Sequence, residues 1–288
     1  MSKINLESSW KNTVVYLPKM WILTYTKWYV PILLSILYPA KERLQRDVLW
    51  SAAPYPCVGE FKFLTLNLPS HPQYQHVLSL LTQPQAPPIQ FLDLGCCVAQ
   101  ELRSLAHADV PSTQLYGTDM IPKFLSTSYD LFNDKNSFKG TLVTGNVFDL
   151  RVFENAWKGW EGKFGIIHAG LFLHLFDWNR QLAVCDAIVK LMRKEKGALF
   201  LGEMVGCEGG GERGDLQVKG EVRKQFLHDE KSFEKMWREV AERTGTAGLW
   251  KVEVAFKKRG GNGGDGDHRR AFFTGEGIGW ITFSVERV

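Results

Sequence analysis

Residues 91–105 read FLDLGCCVAQELRSL: an apolar run, a glycine, and then a stretch whose leucines recur at helical spacing. A buried strand that enters a helix through one glycine turn is the opening crossover of an open α/β sheet, and it sets the architecture expected of everything downstream. Such a turn brings backbone N–H groups and a helix N-terminus to the carboxyl end of the strand, where a ligand can bind. A pyrophosphate demands close backbone approach, so dinucleotide sites use G-x-G-x-x-G. Only Gly95 is kept here, and Cys96, Cys97, Val98, Ala99 and Gln100 follow it. The pattern disfavours a dinucleotide and suits a ligand without phosphates, whose ammonium or carboxylate is met by side chains and water. An NAD-dependent oxidoreductase and a non-catalytic binding or regulatory protein with a degenerate pocket remain the competing readings.

From Ile89 onward, short apolar runs alternate with amphipathic ones, as βαβ units require. Strands are predicted at IQFLDLG, QLYGTDM, GTLVTGNV, FGIIHAG, GALFLGEMV, LWKVEVAFK and WITFSVERV, and helices at AQELRSLA, NRQLAVCDAIVKLMRK and EKSFEKMWREVAERTG. The last two strands are joined by a glycine-rich stretch with no room for a crossover helix, so they should pair antiparallel. The expected fold is a mostly parallel seven-stranded Rossmann-like sheet ending in an antiparallel pair. The segments GCEGGGERGD and GGNGGDGD read as solvated loops. Upstream, SAAPYPCVGEFKFLTLNLP reads as turns and extended pieces, and QYQHVLSLLTQ as a helix closed by PQAPP. The division expected is an aromatic-rich lid or substrate cap over 1–85 and a ligand-binding domain over 86–288.

Within the cap, residues 20–38 are long and apolar enough to span a bilayer, but Lys27 and Pro31 interrupt them, so a lid helix pair broken at the proline is preferred to a membrane anchor. Five cysteines, an odd number without C-x-x-C or zinc spacing, point to a reducing, cytoplasmic setting and no structural metal. A net charge of +4, with basic residues interleaved among acidic ones, disfavours nucleic-acid binding. Ten tryptophans and eighteen phenylalanines predict an aromatic core or pocket. Nothing in the pattern decides between a monomer and a homodimer.

Asp119, at the end of the second strand, stands where a carboxylate accepts hydrogen bonds from both hydroxyls of a ribose; its alternative is a cap on the helix beginning IPKFL. Asp149, ending the third, can meet an adenine amino group or simply close a turn.

In order, FLDLGCCVAQ, LYGTDM, GNVFDL, FGIIHAGLFLHLFDW, KGALFLGEMVG and the terminal strand pair resemble a class I S-adenosylmethionine-dependent methyltransferase. More narrowly, APYPCVGEFKFL, CCVAQELR, HAGLFLHLFDW, FLHDEKSFEKMW and the final FSVER are similar to fungal secondary-metabolite methyltransferases, including those of meroterpenoid pathways. The stretch from Trp28 to Tyr38 departs from that pattern, being longer and more apolar. The resemblance implies S-adenosylmethionine as cofactor, with Asp93, Gly95 and Cys97 at its methionine end, Asp119 on the ribose, Asn146, Val147 and Phe148 flanking the adenine, and His168 to Gly170 beside the methyl group. His168, His174 and His228 are the candidate bases or acceptor-orienting groups, each with a structural role as its alternative. Tyr55, Phe61 and Phe63 are expected to form apolar walls for a lipophilic small-molecule acceptor. A carboxyl group of a polyketide or meroterpenoid acid is the first choice, and a phenol or alcohol the second.

Overall fold

The computed structural model describes residues 2–6, 13–17, 39–59, 61–84, 86–218, 221–259 and 276–288. The chain divides into two compact units, Met1–Val48 and Leu49–Val288. The first holds an antiparallel pair, β1 (Ser2–Leu6) and β2 (Thr13–Leu17), and the start of α1 (Pro39–Ala52). Residues 20–38 lie outside the described part. Among the described residues, no helix is long and apolar enough to cross a membrane.

The second unit is built on the seven-stranded sheet anticipated from the pattern. Its strands are β3 (Phe91–Leu94), β4 (Leu115–Asp119), β5 (Thr141–Thr144), β6 (Ile166–His168), β7 (Leu199–Cys207), β10 (Trp250–Lys258) and β11 (Ile278–Arg287), in the spatial order β10-β11-β7-β6-β3-β4-β5. Only β11 opposes the rest, pairing antiparallel with both β7 and β10. The order reverses at β3: the chain steps outward through β4 and β5, then returns to β6 on its other side. Carboxyl ends of strands at such a reversal open a crevice, the usual ligand position in this architecture. All four residues of β3 are buried, as a central strand covered on both faces must be. The edge strand β10 instead alternates half-buried Trp250, Val252, Val254 and Phe256 with exposed Lys251, Glu253, Ala255 and Lys257.

Helices α3 (Tyr74–Thr82), α4 (Gln100–His107), α5 (Pro122–Phe132), α6 (Trp178–Leu191) and α7 (Glu230–Arg243) supply the covering layers. One core joins α6 and α7 to the sheet through Phe200, Phe233, Trp237 and Phe283, the Phe233 and Phe283 rings standing 4.7 Å apart. The other packs Val77 and Leu81 of α3 and Leu102 and Leu105 of α4 on the opposite side, against Phe91 and Leu115. Helix α7 starts in a capping box, Asp229 accepting from Ser232 N while the Ser232 hydroxyl accepts from Asp229 N.

Two local expectations are corrected. GCEGGGERGD is not loop throughout: Gly211 begins β8 (Gly211–Val218), which pairs antiparallel with β9 (Glu221–Leu227) as a hairpin outside the main sheet. Its glycines concealed the strand, because propensity favours a turn where hairpin pairing prevails. The stretch 51–69 keeps an extended residue at Thr65 but also winds into short helical turns, α2 (Pro56–Gly59) and 3-10 turns at Lys62–Leu64 and Leu68–Ser70. Prolines that break long helices are welcome in such first turns. GGNGGDGD falls outside the described residues.

Trp237 stacks on Phe200 at 5.5 Å, meets Trp250 edge-on and is 1% exposed. Trp237→Ala is therefore expected to lower the unfolding free energy by about 3–5 kcal/mol, read from urea unfolding; a loss below about 1 kcal/mol would show that this ring does not hold α7 to the sheet.

Candidate active site

The turn after β3 is tied to the end of β4. Gly95 N and Cys96 N both donate to Thr118 O, at 2.9 and 3.1 Å. Gly95 has φ +77°, and a Cβ there would lie 2.4 Å from the Phe172 ring, so glycine is required on both counts. Cys97 (φ 49°) and Ala99 (φ 54°) also sit in the left-handed region, where a side chain costs roughly 1 kcal/mol or more. The backbone thus keeps a glycine-like path without the glycines. What holds it is Asp119, whose Oδ2 accepts from Cys97 N at 3.0 Å and Oδ1 from Ile121 N at 2.9 Å. Asp119 thus braces the entry to α5 through Ile121 N and lines the crevice. Burial pushes its carboxyl up to about 6, against the backbone hydrogen bonds of Ile121 and Cys97.

Beneath the turn, Asp93 Oδ1 meets His168 Nδ1 at 2.8 Å, with both side chains buried. Phe91 stacks on the imidazole, and Gly170 passes so close that a Cβ would lie 2.8 Å from its Cε1. Burial opposes the charged form of His168, but the hydrogen bond and charge of Asp93, with Glu101 and Glu203, outweigh it and raise the pKa. Glu101 was not anticipated. It is 3% exposed, and its Oε1 accepts from Asn67 N at 2.6 Å and Leu68 N at 3.3 Å. Burial pushes its carboxyl up to about 7, with His168 acting the other way. Its four-residue spacing to the buried Leu105 was the signal that it faces inward.

These groups open into a cavity of about 670 Å³ at the carboxyl ends of β3, β4 and β6. Of the expected site residues, Tyr55, Phe63, Asp93, Gly95, Cys97, Asp119, Asn146, Val147, Phe148, His168 and His174 line it. Phe61, Asp149 and His228 do not. Phe61 stands 6.0 Å behind Phe63. Asp149 is exposed and closes a turn by accepting from Arg151 N at 2.9 Å. His228 is fully buried among Trp178, Phe226 and Phe233, with Ser232 Oγ 3.1 Å from Nδ1 and Gln181 Oε1 3.0 Å from Nε2, so both ring nitrogens are engaged away from the cavity. Burial lowers its pKa to about 4.

Sequence reasoning missed much of the rest of the wall, including Lys62, Gln100, Glu101, Phe124, Phe172, Phe176 and Arg180. The Phe172, Phe176 and Phe148 rings contact one another in turn at 5.1 Å, and the Arg180 guanidinium lies 4.5 Å over Phe148. Hairpin strand β9 fixes this wall, since Phe226 N donates to Phe176 O and Gln225 Nε2 to His174 O. Burial, then the charge of Lys62, lowers the His174 pKa to about 3. Cys57 and Cys97 also line the cavity; burial raises Cys57 to about 11 and Cys97 well above its usual range, leaving both as inert wall thiols. A second groove, at Arg103 and Phe138, has its guanidinium already held by both oxygens of Asp134 and stacked over Phe132 and Phe138.

Because Glu101 rises from 4.5 to about 7 on folding, it binds a proton more tightly in the native state. The penalty for ionising it is absent below about pH 4.5 and complete above about pH 7. Glu101→Gln keeps the acceptor oxygen and should gain about 1–3 kcal/mol relative to wild type between pH 4.5 and pH 8, by denaturant unfolding. A difference that does not change with pH would rule this out.

No protein-family model matches the chain. Among curated proteins it is 42% identical to O-methyltransferase phiE of Fungal sp. (strain ATCC 74256), over 73% of this chain and 66% of that protein. It is 34% identical to O-methyltransferase atr3 of Stereocaulon alpinum, over 76% and 60%. It is 30% identical to the asnovolin E/chermesin D methyltransferase nvfJ of Aspergillus novofumigatus, over 72% and 73%. The chain thus spans somewhat less than two thirds of the length of the first two. Among solved structures, phosphoethanolamine N-methyltransferase 2 of Haemonchus contortus, in complex with phosphomonomethylethanolamine and S-adenosylhomocysteine, shares the fold at a TM-score of 0.51 and 14% identity, over 84% of this chain and 60% of that one. With the strand order, the clamped turn and the length of these matches together, the chain belongs to the class I S-adenosylmethionine-dependent methyltransferases, in the fungal group of these relatives.

Proposed function

We propose that the chain transfers the methyl group of S-adenosylmethionine to an oxygen of a lipophilic small molecule, and that this oxygen belongs to a carboxylate, giving the methyl ester of a polyketide or meroterpenoid acid. The observation that carries the reading is one cavity in which the turn clamped by Asp119 faces walls of Phe63, Phe124, Phe148, Phe172 and Phe176 with Lys62 and Arg180 among them. The residues present suit the cofactor. Gly95 presents bare backbone at the cavity wall, and each Asp119 oxygen, engaged by one backbone N–H, retains acceptor capacity for a ribose hydroxyl. Asn146, Val147 and Phe148 offer a ledge for the adenine.

When bound, S-adenosylmethionine supplies a methyl group already activated by positive sulfur. The work left to the chain is alignment and exclusion of water. The phenyl walls do the second, and Lys62 and Arg180 draw an anionic acceptor end into place. A carboxylic acid is ionised at neutral pH and needs no base, whereas a hydroxyl must lose a proton as it attacks. Of the three candidate histidines, His228 lies outside the cavity, His174 is a weak base at a pKa of about 3, and His168 is held by Asp93. A pocket with cations, in which His168 is already engaged by Asp93 and burial holds His174 neutral, favours the carboxylate. The O-methyltransferase names of phiE and atr3 are compatible with an oxygen acceptor.

Incubation with labelled S-adenosylmethionine and a panel of acidic and phenolic metabolites should give a base-labile methyl ester, with a rate that stays flat across neutral pH. An alkali-stable methyl ether, with a limb in kcat/KM near pH 6–7, would assign a hydroxyl acceptor instead. Asp119→Ala should weaken S-adenosylhomocysteine binding by about 1.5–3 kcal/mol in calorimetry on the folded variant, and unchanged affinity would remove Asp119 from the ribose.

A further inference from the structure

The first turn of α4 carries two oxygens that lack a donor. Glu101 Oε2 and Gln100 Oε1 are both buried, and neither has a hydrogen-bond partner among the described residues. Both side chains line the cavity. Buried acceptors are almost always satisfied, so two on one turn at a cavity wall call for a ligand that brings donors.

The surrounding charge says which kind. Glu101 faces Asp93 on β3 and His168 on β6, while Tyr74 on α3 feels its charge. Glu203 on β7 acts on the same histidine. Three carboxylates thus surround one imidazole, and a positive ligand end is favoured. Glu101 Oε1 is already fixed by Asn67 N and Leu68 N, so the carboxylate is held in place before any ligand arrives. A carboxylate and an amide oxygen on the wall of one cavity match a primary ammonium, which carries three N–H donors and a positive charge.

We infer that Glu101, with Gln100 beside it, seats the α-ammonium group at the amino-acid end of the cofactor. The inference rests on the cofactor reading above. It adds a proton linkage: an ammonium stabilises the ionised carboxylate, so binding near pH 6.5 should expel the proton that burial holds on Glu101. Because Oε1 receives two N–H groups from the segment carrying Phe63 and Lys62, the same carboxylate joins the cofactor turn to the acceptor wall.

The test is calorimetry at pH 6.5, in two buffers of different ionisation enthalpy, on the full chain and on Glu101→Gln. The ligands are S-adenosylhomocysteine and its analogue lacking the α-amino group. In the wild type, removal of the amino group should weaken binding about 10- to 100-fold, and S-adenosylhomocysteine should release on the order of half a proton or more. In Glu101→Gln the two ligands should differ by less than about threefold, with that proton release gone. Equal penalties for the missing amino group in both proteins would overturn the assignment. So would proton uptake, which would mean a protonated Glu101 donating to the ligand's carboxylate. Should the variant fail to fold, the wild type alone decides, because equal affinity for the two ligands overturns the inference. If the wild type binds no S-adenosylhomocysteine, the cofactor reading falls and takes this one with it; if it binds but shows no coupling, only this inference falls.

Discussion

The site hangs on the carboxylate of Asp119. It stands at the end of β4 and takes the N–H of Cys97 on one oxygen and that of Ile121 on the other, while Thr118 O takes the N–H groups of Gly95 and Cys96. Three hydrogen bonds to one strand end, from the N–H groups of Gly95, Cys96 and Cys97, therefore determine the path of the β3–α4 turn, and the fourth, from Ile121, fixes the entry to α5. Without them, the left-handed conformations of Cys97 and Ala99 would each be uphill by roughly 1 kcal/mol or more. Charge-assisted bonds from backbone donors are worth enough, about 1.5–3 kcal/mol each, to offset that. This is how a turn that kept one glycine follows the course of a glycine-rich one.

The order of the strands makes the clamp useful. The reversal at β3 places the ends of β3, β4 and β6 side by side, so Asp93, Asp119 and His168 come from three segments distant in sequence yet face one crevice. Burial then forces these groups into relationships. An isolated buried charge is costly, and the floor answers by pairing Asp93 with His168 and pinning one oxygen of Glu101 with two backbone N–H groups. The walls come from elsewhere: Phe63 from the short turns before α3, and Phe172 and Phe176 from the loop latched by β9.

The three histidines show how far environment separates identical side chains. His168 has a carboxylate against it, and its pKa is raised despite burial. His174 is buried, with Lys62 nearby, and falls to about 3. His228 lies between aromatic rings away from the cavity and falls to about 4. One residue type thus serves as ion-pair partner, neutral wall and structural tie, and nothing in the local sequence around each distinguishes them.

What the sequence by itself determined is what local pattern encodes. Strand and helix periodicity specified the seven strands and the main helices, the lack of space between LWKVEVAFK and WITFSVERV required their antiparallel pairing, and the strand-end positions of Asp93, Gly95 and Asp119 marked the crevice. Tertiary structure alone decided the rest, because contacts between distant segments have no local signature. It turned a glycine-rich stretch into β8, since hairpin pairing with β9 outweighs propensity. It moved His228 and Phe61 out of the wall, and it left Asp149 on a turn. It brought in Glu101, whose charge reads as a solvated helix residue until Asn67, Leu68, Asp93 and His168 are packed around it, and burial, a property of the assembled fold, then sets its proton affinity.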